Sequence, residues 1–263
     1  MKFYKIIHPD IRKLRGQVVS FIGGGGKSTL LHRIGRELAR KDLKVILTTT
    51  TKMQVFPNTG LVLQQEREDY LDELQVLLEE LGIVIVAKDY YKADTLSGVN
   101  TQSVQMLKRL ADVVLIEADG SRQRPLKTHK LYEPPIPIIT NTVVVLCAAE
   151  VVGKPLSNST VHRAELFSEK WHLPMGTKLT PEIVANELLS AESYLKNVPI
   201  DARVAYFVNK EDKNEIGGRL LAEHLMRRCD FPVYLGSLRK KRYRAISPGS
   251  STSNVRVSQR GSK

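Results

Sequence analysis

The sequence predicts an α/β fold of the P-loop NTPase type, a mostly parallel sheet sandwiched by helices, and three observations predict it. Apolar, β-branched runs alternate with segments of helical periodicity over residues 1–240, as expected of strands covered on both faces by crossover helices. The first such run leads into four glycines, Lys27, Ser28 and Thr29, the order of a phosphate-binding loop that opens a helix. A later apolar run closes on Glu117, Ala118, Asp119 and Gly120, which puts carboxylates at a strand end, where phosphoryl chemistry uses them.

The elements follow in order. Residues 16–22 (GQVVSFI) read as a buried strand, and 27–40 as a helix with Leu30, Leu31, Ile34 and Leu38 on one face. A second strand spans 43–49. Residues 69–81 form an amphipathic helix, with Leu71, Leu74, Leu78 and Leu81 at helical spacing. A short strand at 83–87, a helix at 101–110 and buried strands at 112–116 (DVVLI) and 141–147 (NTVVVLC) come next. Helices are expected at 161–171 and 181–195, the second with Thr180 as N-cap and Pro181 in its first turn. A strand at 203–208, a helix at 214–228 and a strand at 231–235 complete the pattern. A single domain is expected over 1–240, with a helical insertion around 150–197.

Composition narrows the class. With 42% hydrophobic and 26% charged residues, the chain has enough apolar content for a sizeable core. Cys147 and Cys229 lie far apart without metal-ligand spacing and read as buried thiols. The opening residues, MKFYKIIHPD, do not read as a secretory signal. No apolar run approaches the roughly 20 residues that span a bilayer, so a cytoplasmic protein with no membrane partner is expected. The net charge of +12 is unevenly placed: eight Lys or Arg residues and no acid lie between Arg239 and Lys263, leaving +4 for the rest. Residues 241–263 therefore read as a basic, disordered tail. Without an RNA-binding motif or interleaved aromatics, nucleic acid is not the expected partner.

The glycine run carries the chemistry. Gly23, Gly24, Gly25 and Gly26 allow successive N–H groups to turn toward one anion, and the following helix adds its positive end. Lys27 would reach the β- and γ-phosphates, and Ser28 would place its hydroxyl on Mg²⁺. Thr29 would belong to the binding segment as a helix residue without a direct role. The general pattern has another glycine six residues before the lysine, where this chain has Phe21.

Glu117 and Asp119 are two apart and share a face in an extended chain. Asp119 is expected to bind Mg²⁺ directly or through water, and Glu117 to activate water or support the metal. Gly120 would offer its N–H to the γ-phosphate. Catalysis would thus rest on Lys27, Glu117 and Asp119. The run Thr48 to Thr51 reads either as a switch segment touching Mg²⁺ or the γ-phosphate, or as simple β-propensity. After the 203–208 strand, Asn209, Lys210, Glu211 and Asp212 give the N-K-x-D order that reads guanine in many GTPases. Asp212 would accept hydrogen bonds from the base, Lys210 would lie along it, and Asn209 would hold the loop. Ser237 and Leu238 fall where a second loop touches guanine. The ligand is GTP or ATP, with GTP slightly favoured.

Several motifs occur together in one order: 21–29 (FIGGGGKST), 48–53 (TTTTKM), 116–122 (IEADGSR), 125–127 (PLK), 133–137 (EPPIP), 153–156 (GKPL) and 161–163 (VHR). Over residues 15–238 the chain resembles the accessory proteins of selenium-dependent molybdenum hydroxylases, the YqeC family. The resemblance implies a P-loop fold and a role in hydroxylase maturation, with a molybdenum hydroxylase client or its cofactor as partner. The expected activity is hydrolysis of a nucleoside triphosphate. Two alternatives use the same loop: a kinase or nucleotidyltransferase acting on a small molecule or cofactor, and a nucleotide-binding adaptor with little turnover. Arg122, Arg124, Lys127, His162 and Arg163 are candidates to hold a second substrate. His129, His172 and His224 read as surface or packing residues.

Overall fold

The structure is a computed structural model that describes residues 2–65, 67 and 69–247. At its centre lies β1 (Gln17–Gly23), buried from Val18 onward. Its side chains alternate between two cores, as strand geometry requires. Val18 and Ile22 face one core, and Val19 and Phe21 the other. The second core is closed by α1 (Lys27–Ala39), which buries Leu30, Leu31, Ile34 and Leu38. Phe3, Ile6, Ile7 and Leu14, from two N-terminal 3₁₀ turns, join that core.

The remaining strands of the main sheet are β2 (Val45–Thr49), β3 (Gly60–Leu63), β4 (Ile83–Ala87), β5 (Val113–Glu117), β6 (Thr142–Ala148), β7 (Arg203–Asn209), β8 (Val233–Ser237) and β9 (Arg242–Ala245). The sheet has nine strands in the order β9-β8-β7-β6-β1-β5-β2-β4-β3. Every pairing is parallel except β8 with β9. The first core lies under α2 (Tyr70–Leu81), α3 (Ser103–Leu110), α4 (Ala164–Trp171), α5 (Pro181–Leu188) and α6 (Glu215–Arg228). Helices on both faces explain why the central strands read as continuous apolar runs.

Four expectations change. The helix drawn over 161–171 begins at Ala164, because Arg163 is left-handed at φ 67° and ends the preceding strand. Val161–His162 instead pairs with Leu126–Lys127. The helix drawn over 181–195 keeps its Thr180 cap, whose Oγ1 accepts Ile183 N at 3.2 Å, but stops at Leu188. Beyond it, Ser190 accepts Glu192 N with its own hydroxyl and Ser193 turns its hydroxyl onto Glu187, so side chains compete with helical pairing. Two pieces of structure were not read: the edge strand β3, and a small antiparallel sheet of Lys52–Gln54, Asp89–Lys92 and Thr95–Ser97.

The fourth change concerns the tail, expected to be disordered from 241. Arg242–Ala245 form β9, and the reason is local. Arg242 and Arg244 reach the buried carboxylate of Glu211, and Tyr243 packs against Phe3, Phe207 and Tyr234. Residues 248–263 of the predicted tail lie outside the described residues.

Candidate nucleotide site

The chain leaves β1 into the glycine run at the carboxyl end of the parallel strands, where open α/β sheets place ligands. The bend is made late. Phe21 is still in the strand, paired with Val144 and Glu117, so a glycine there has nothing to do. Gly25 and Gly26 take positive φ, 81° and 126°. A Cβ on Gly25 would stand 2.5 Å from Ala148 Cβ, and one on Gly26 2.7 Å from Asn209 Nδ2. The loop is thus a backbone cradle that side chains would fill.

Lys27 is buried at the start of α1 and meets three oxygens. Its Nζ donates to Gly23 O at 2.5 Å, and lies 3.0 Å from Asp119 Oδ1 and 3.8 Å from Glu117 Oε1. The two carboxylates do share a face, as their spacing predicts. Burial opposes the Lys27 charge, but Asp119 and then Glu117 outweigh it and hold the amine above the ordinary lysine range.

The carboxylates otherwise differ. Glu117, the last residue of β5, accepts the Ser28 hydroxyl at 2.6 Å. Burial pushes its carboxyl above the usual value, against the pull of Lys27 and Ser28. Asp119 is fully buried, and its Oδ2 accepts Gly23 N at 2.8 Å and lies 2.7 Å from His129 Nε2. Burial works against its charge too, yet Lys27, Lys127 and His129 hold it far below the carboxylate range. Lys127 Nζ lies 3.8 Å from Asp119 and 3.5 Å from Glu133, and burial depresses its amine.

His129, expected either at the surface or in packing, takes the second place, its ring edge-on to Tyr194. It is buried, not superficial, and connects Asp119 to Ser193 and from there to Glu187 beneath the insertion helices. A histidine ten residues after an acid gave no periodic signal. The threonine run also resolves. Thr48 Oγ1 donates to Val86 O, Thr49 Oγ1 to Glu117 O and Thr50 Oγ1 to Pro135 O. Only Thr51 of the run faces the cleft.

At the other end of the loop, Asn209 Nδ2 donates to Gly25 O at 2.7 Å, while its Oδ1 accepts Leu238 N at 3.0 Å. A cavity of about 270 Å³ opens here, lined by Gly26, Thr29, Lys210, Asp212, Ser237 and Leu238 among others. Asp212 is hydrogen-bonded to Ser237, which lowers its carboxyl from the ordinary value. Lys210 pairs with Glu150. A larger cavity of about 920 Å³ starts at the same loop and extends past Lys27, Ser28, Glu117 and Gly120. The two share Gly25, Gly26, Thr29 and Lys210, so one cleft runs along the loop. The structure therefore brings Gly25, Gly26, Lys27, Ser28, Thr29, Glu117, Gly120, Asn209, Lys210 and Asp212 to one cleft, while Gly23, Gly24 and Asp119 are buried behind the loop and do not line it.

A parallel α/β sheet whose central strand delivers a glycine cradle, a buried lysine and a hydroxyl facing a carboxylate defines a protein of the P-loop NTPase fold. The chain belongs to the YqeC family: the family model described as YqeC protein matches residues 19–165. It is also 28% identical over 233 residues to the uncharacterized protein YqeC of Escherichia coli strain K12, covering 86% of this chain and 89% of that one. Among solved structures it is similar to the signal recognition particle receptor FtsY of Elizabethkingia anophelis, at TM-score 0.41 and 17% identity over 84% of this chain and 57% of the receptor. The hydrogenase maturation factor HypB of Archaeoglobus fulgidus gives TM-score 0.39 and 13% identity, covering 90% of this chain and 91% of that one. Among the described residues, no helix is long and apolar enough to cross a membrane.

Proposed function

We propose that the chain binds a magnesium nucleoside triphosphate along this cleft and hydrolyses it, with guanine preferred, and that it serves the maturation of selenium-dependent molybdenum hydroxylases. The observation that carries the nucleotide reading is the single cleft, with a small cavity at Asp212 on one side of the glycine cradle and Lys27, Ser28 and Glu117 on the other. Base, phosphates and metal would then lie in that order along it.

The residues present suit Mg²⁺. Ser28 Oγ and Glu117 Oε2 are hard oxygen donors 2.6 Å apart. No group of three or more His, Cys, Asp or Glu among the described residues could hold a metal alone, so the ion would take further ligands from phosphates and water. It would neutralise charge on the β- and γ-oxygens. Glu117, facing the Ser28 hydroxyl, would be the carboxylate that supports it, since Asp119 is fully buried and engaged with Gly23 and Lys27. Asp119, with one oxygen on Gly23 N and the other toward Lys27, positions the loop and the lysine. The Lys27 ammonium and the loop N–H groups would stabilise the charge that develops as water attacks the γ-phosphate. The link to hydroxylase maturation rests on the family resemblance.

The test is a titration of GTP and ATP with Mg²⁺, followed by phosphate release. Lys27→Ala should abolish binding of both. Asp212→Ala should weaken GTP by about tenfold or more, the value of a charge-assisted hydrogen bond, and leave ATP unchanged. Preference for ATP in the parent protein would remove the guanine assignment, and retention of binding by Lys27→Ala would remove the site itself.

A further inference from the structure

The larger cavity is bigger than a triphosphate tail needs, and its far wall differs in character from the loop. That wall is built by the segment after β5 and by the Leu126–Lys127 and Val161–His162 pairing, with Lys52 from the small sheet. It presents Lys52, Arg122, His162 and Arg163 against a single acid, Glu133. Glu133 is already committed. Both Arg163 nitrogens hold its carboxylate, and Lys127 lies 3.5 Å behind it. Burial would raise the Glu133 carboxyl, but Arg163 and Lys127 hold it down at about 2. Lys52 Nζ lies over the Tyr91 ring, 3.1 Å from its centroid, and neither it nor Arg122 has an acid opposite it.

Arg122 stands out within the wall. It is exposed, and its guanidinium has no hydrogen bond or ion pair among the described residues. Its backbone is left-handed at φ 48°, and Gln123 follows at φ 63°. Two consecutive non-glycine residues in that region cost free energy, and such strain gathers at ligand clamps. His162 adds a third sign. Burial, then Arg163, Lys127 and Arg122, push its imidazole down to about 4, so at neutral pH it offers an uncharged ring within a positive field. Tyr132, largely exposed, supplies apolar surface beside these groups.

We infer that this wall is a second ligand site, which takes a small organic anion, a phosphate or carboxylate ester or acid with an unsaturated body, and holds it across the cleft from the nucleotide phosphates. Arg122 binds the anionic end with Lys52 beside it, and Tyr132 covers the body. The inference rests on the proposed nucleotide site only in that the loop end of the cleft must be filled by nucleotide.

The experiment is calorimetric titration of phenyl phosphate, and separately benzoate, into protein saturated with a non-hydrolysable triphosphate and Mg²⁺. Nucleotide affinity is measured first. If the nucleotide fails to bind, the proposed function fails at that step and not this inference. With nucleotide bound, one equivalent of at least one probe should bind, and which probe binds decides between phosphate and carboxylate. Arg122→Ala and Lys52→Ala should each weaken the probe by about tenfold while leaving nucleotide affinity within twofold. Absence of probe binding to the nucleotide complex overturns the inference, as does binding indifferent to Arg122→Ala. A loss of nucleotide affinity in Arg122→Ala overturns it too, by assigning that arginine to the triphosphate.

Discussion

Replacing Asp119 by Asn removes one charge from the most enclosed part of the site and keeps the side chain's shape. Asp119 has no exposed surface, accepts Gly23 N at 2.8 Å and stands 3.0 Å from Lys27 Nζ. The amide can still accept from Gly23, but Lys27 and the buried Lys127 lose their shared counter-charge. Breaking a buried ion pair from one side costs about 3–5 kcal/mol, and the retained hydrogen bond sets the expectation at the lower end, about 3 kcal/mol. For a chain of this size that is a fall of roughly 6–12 °C in melting temperature. Urea unfolding at pH 7, with and without saturating Mg-GTP, is the assay. Phosphate oxygens would give Lys27 a new counter-charge, so the deficit of Asp119→Asn should shrink by about 1 kcal/mol or more when nucleotide is added. The pH dependence follows from linkage. The native carboxyl is depressed, so its contribution is fully present above the unfolded value of about 3.9 and is lost as pH falls below it toward the native value. The gap between parent and variant should therefore close only in acid. A deficit under about 1 kcal/mol, or one that nucleotide leaves unchanged, would refute the view that Asp119 holds Lys27 for phosphate.

Two further outcomes are expected. Gly25→Ala puts a Cβ 2.5 Å from Ala148 Cβ on a backbone at φ 81°; it should lower the melting temperature and weaken triphosphate binding by about tenfold or more in a fluorescent-nucleotide titration. Glu133→Gln should destabilise the fold by about 2 kcal/mol at pH 7, because the native carboxyl is held at about 2 against an unfolded value near 4.3 and is only partly screened. That contribution is present above about pH 4 and fades as pH falls toward 2, so the difference between unfolding curves of parent and variant should be full at pH 7 and clearly smaller at pH 3.

Much of the fold was legible because its strands are covered on both faces. A run such as 112–116 has no polar position to confuse its period, and β5 appears within one residue of the expected span. Elements at the sheet's edge were not legible for the same reason inverted. The four residues of β3 lie between turns and are too few to show a period. The start of the tail looked disordered because its charges are all of one sign locally; its partner, Glu211, lies about thirty residues earlier, where composition cannot reach. At the site, the chain order of glycine, lysine, serine and acid pointed to one place, and Lys27, Ser28 and Glu117 lie in mutual contact there. The division of labour between Glu117 and Asp119 was not legible. It depends on which of two same-face carboxylates meets Ser28 and which meets Gly23 N and His129, and that is set by where the chain turns after β5.

The residues Asn209 to Asp212 bear on whether the small cavity is a binding site or an incidental polar turn. A turn that served only to start α6 would spend a side chain on capping it. Asn214 does that, accepting Gly217 N at 2.9 Å, and so Asp212 has no capping duty. Each of the four residues is instead tied to a different part of the molecule. Asn209 bridges Gly25 O and Leu238 N, and Lys210 pairs with Glu150. Glu211 is buried beneath the arginines of β9, while Asp212 bonds Ser237 at the cavity rim. The loop is fixed to the glycine run from one side and to the last two strands from the other, which holds the Asp212 carboxylate at a set position relative to Gly25 and Gly26. Preorganisation of this kind lowers the entropy lost when a rigid planar ligand binds. It also explains why the third, freely variable position of the motif is a buried acid here: Glu211 anchors the edge strand, and the edge strand in turn holds the loop that carries Asp212.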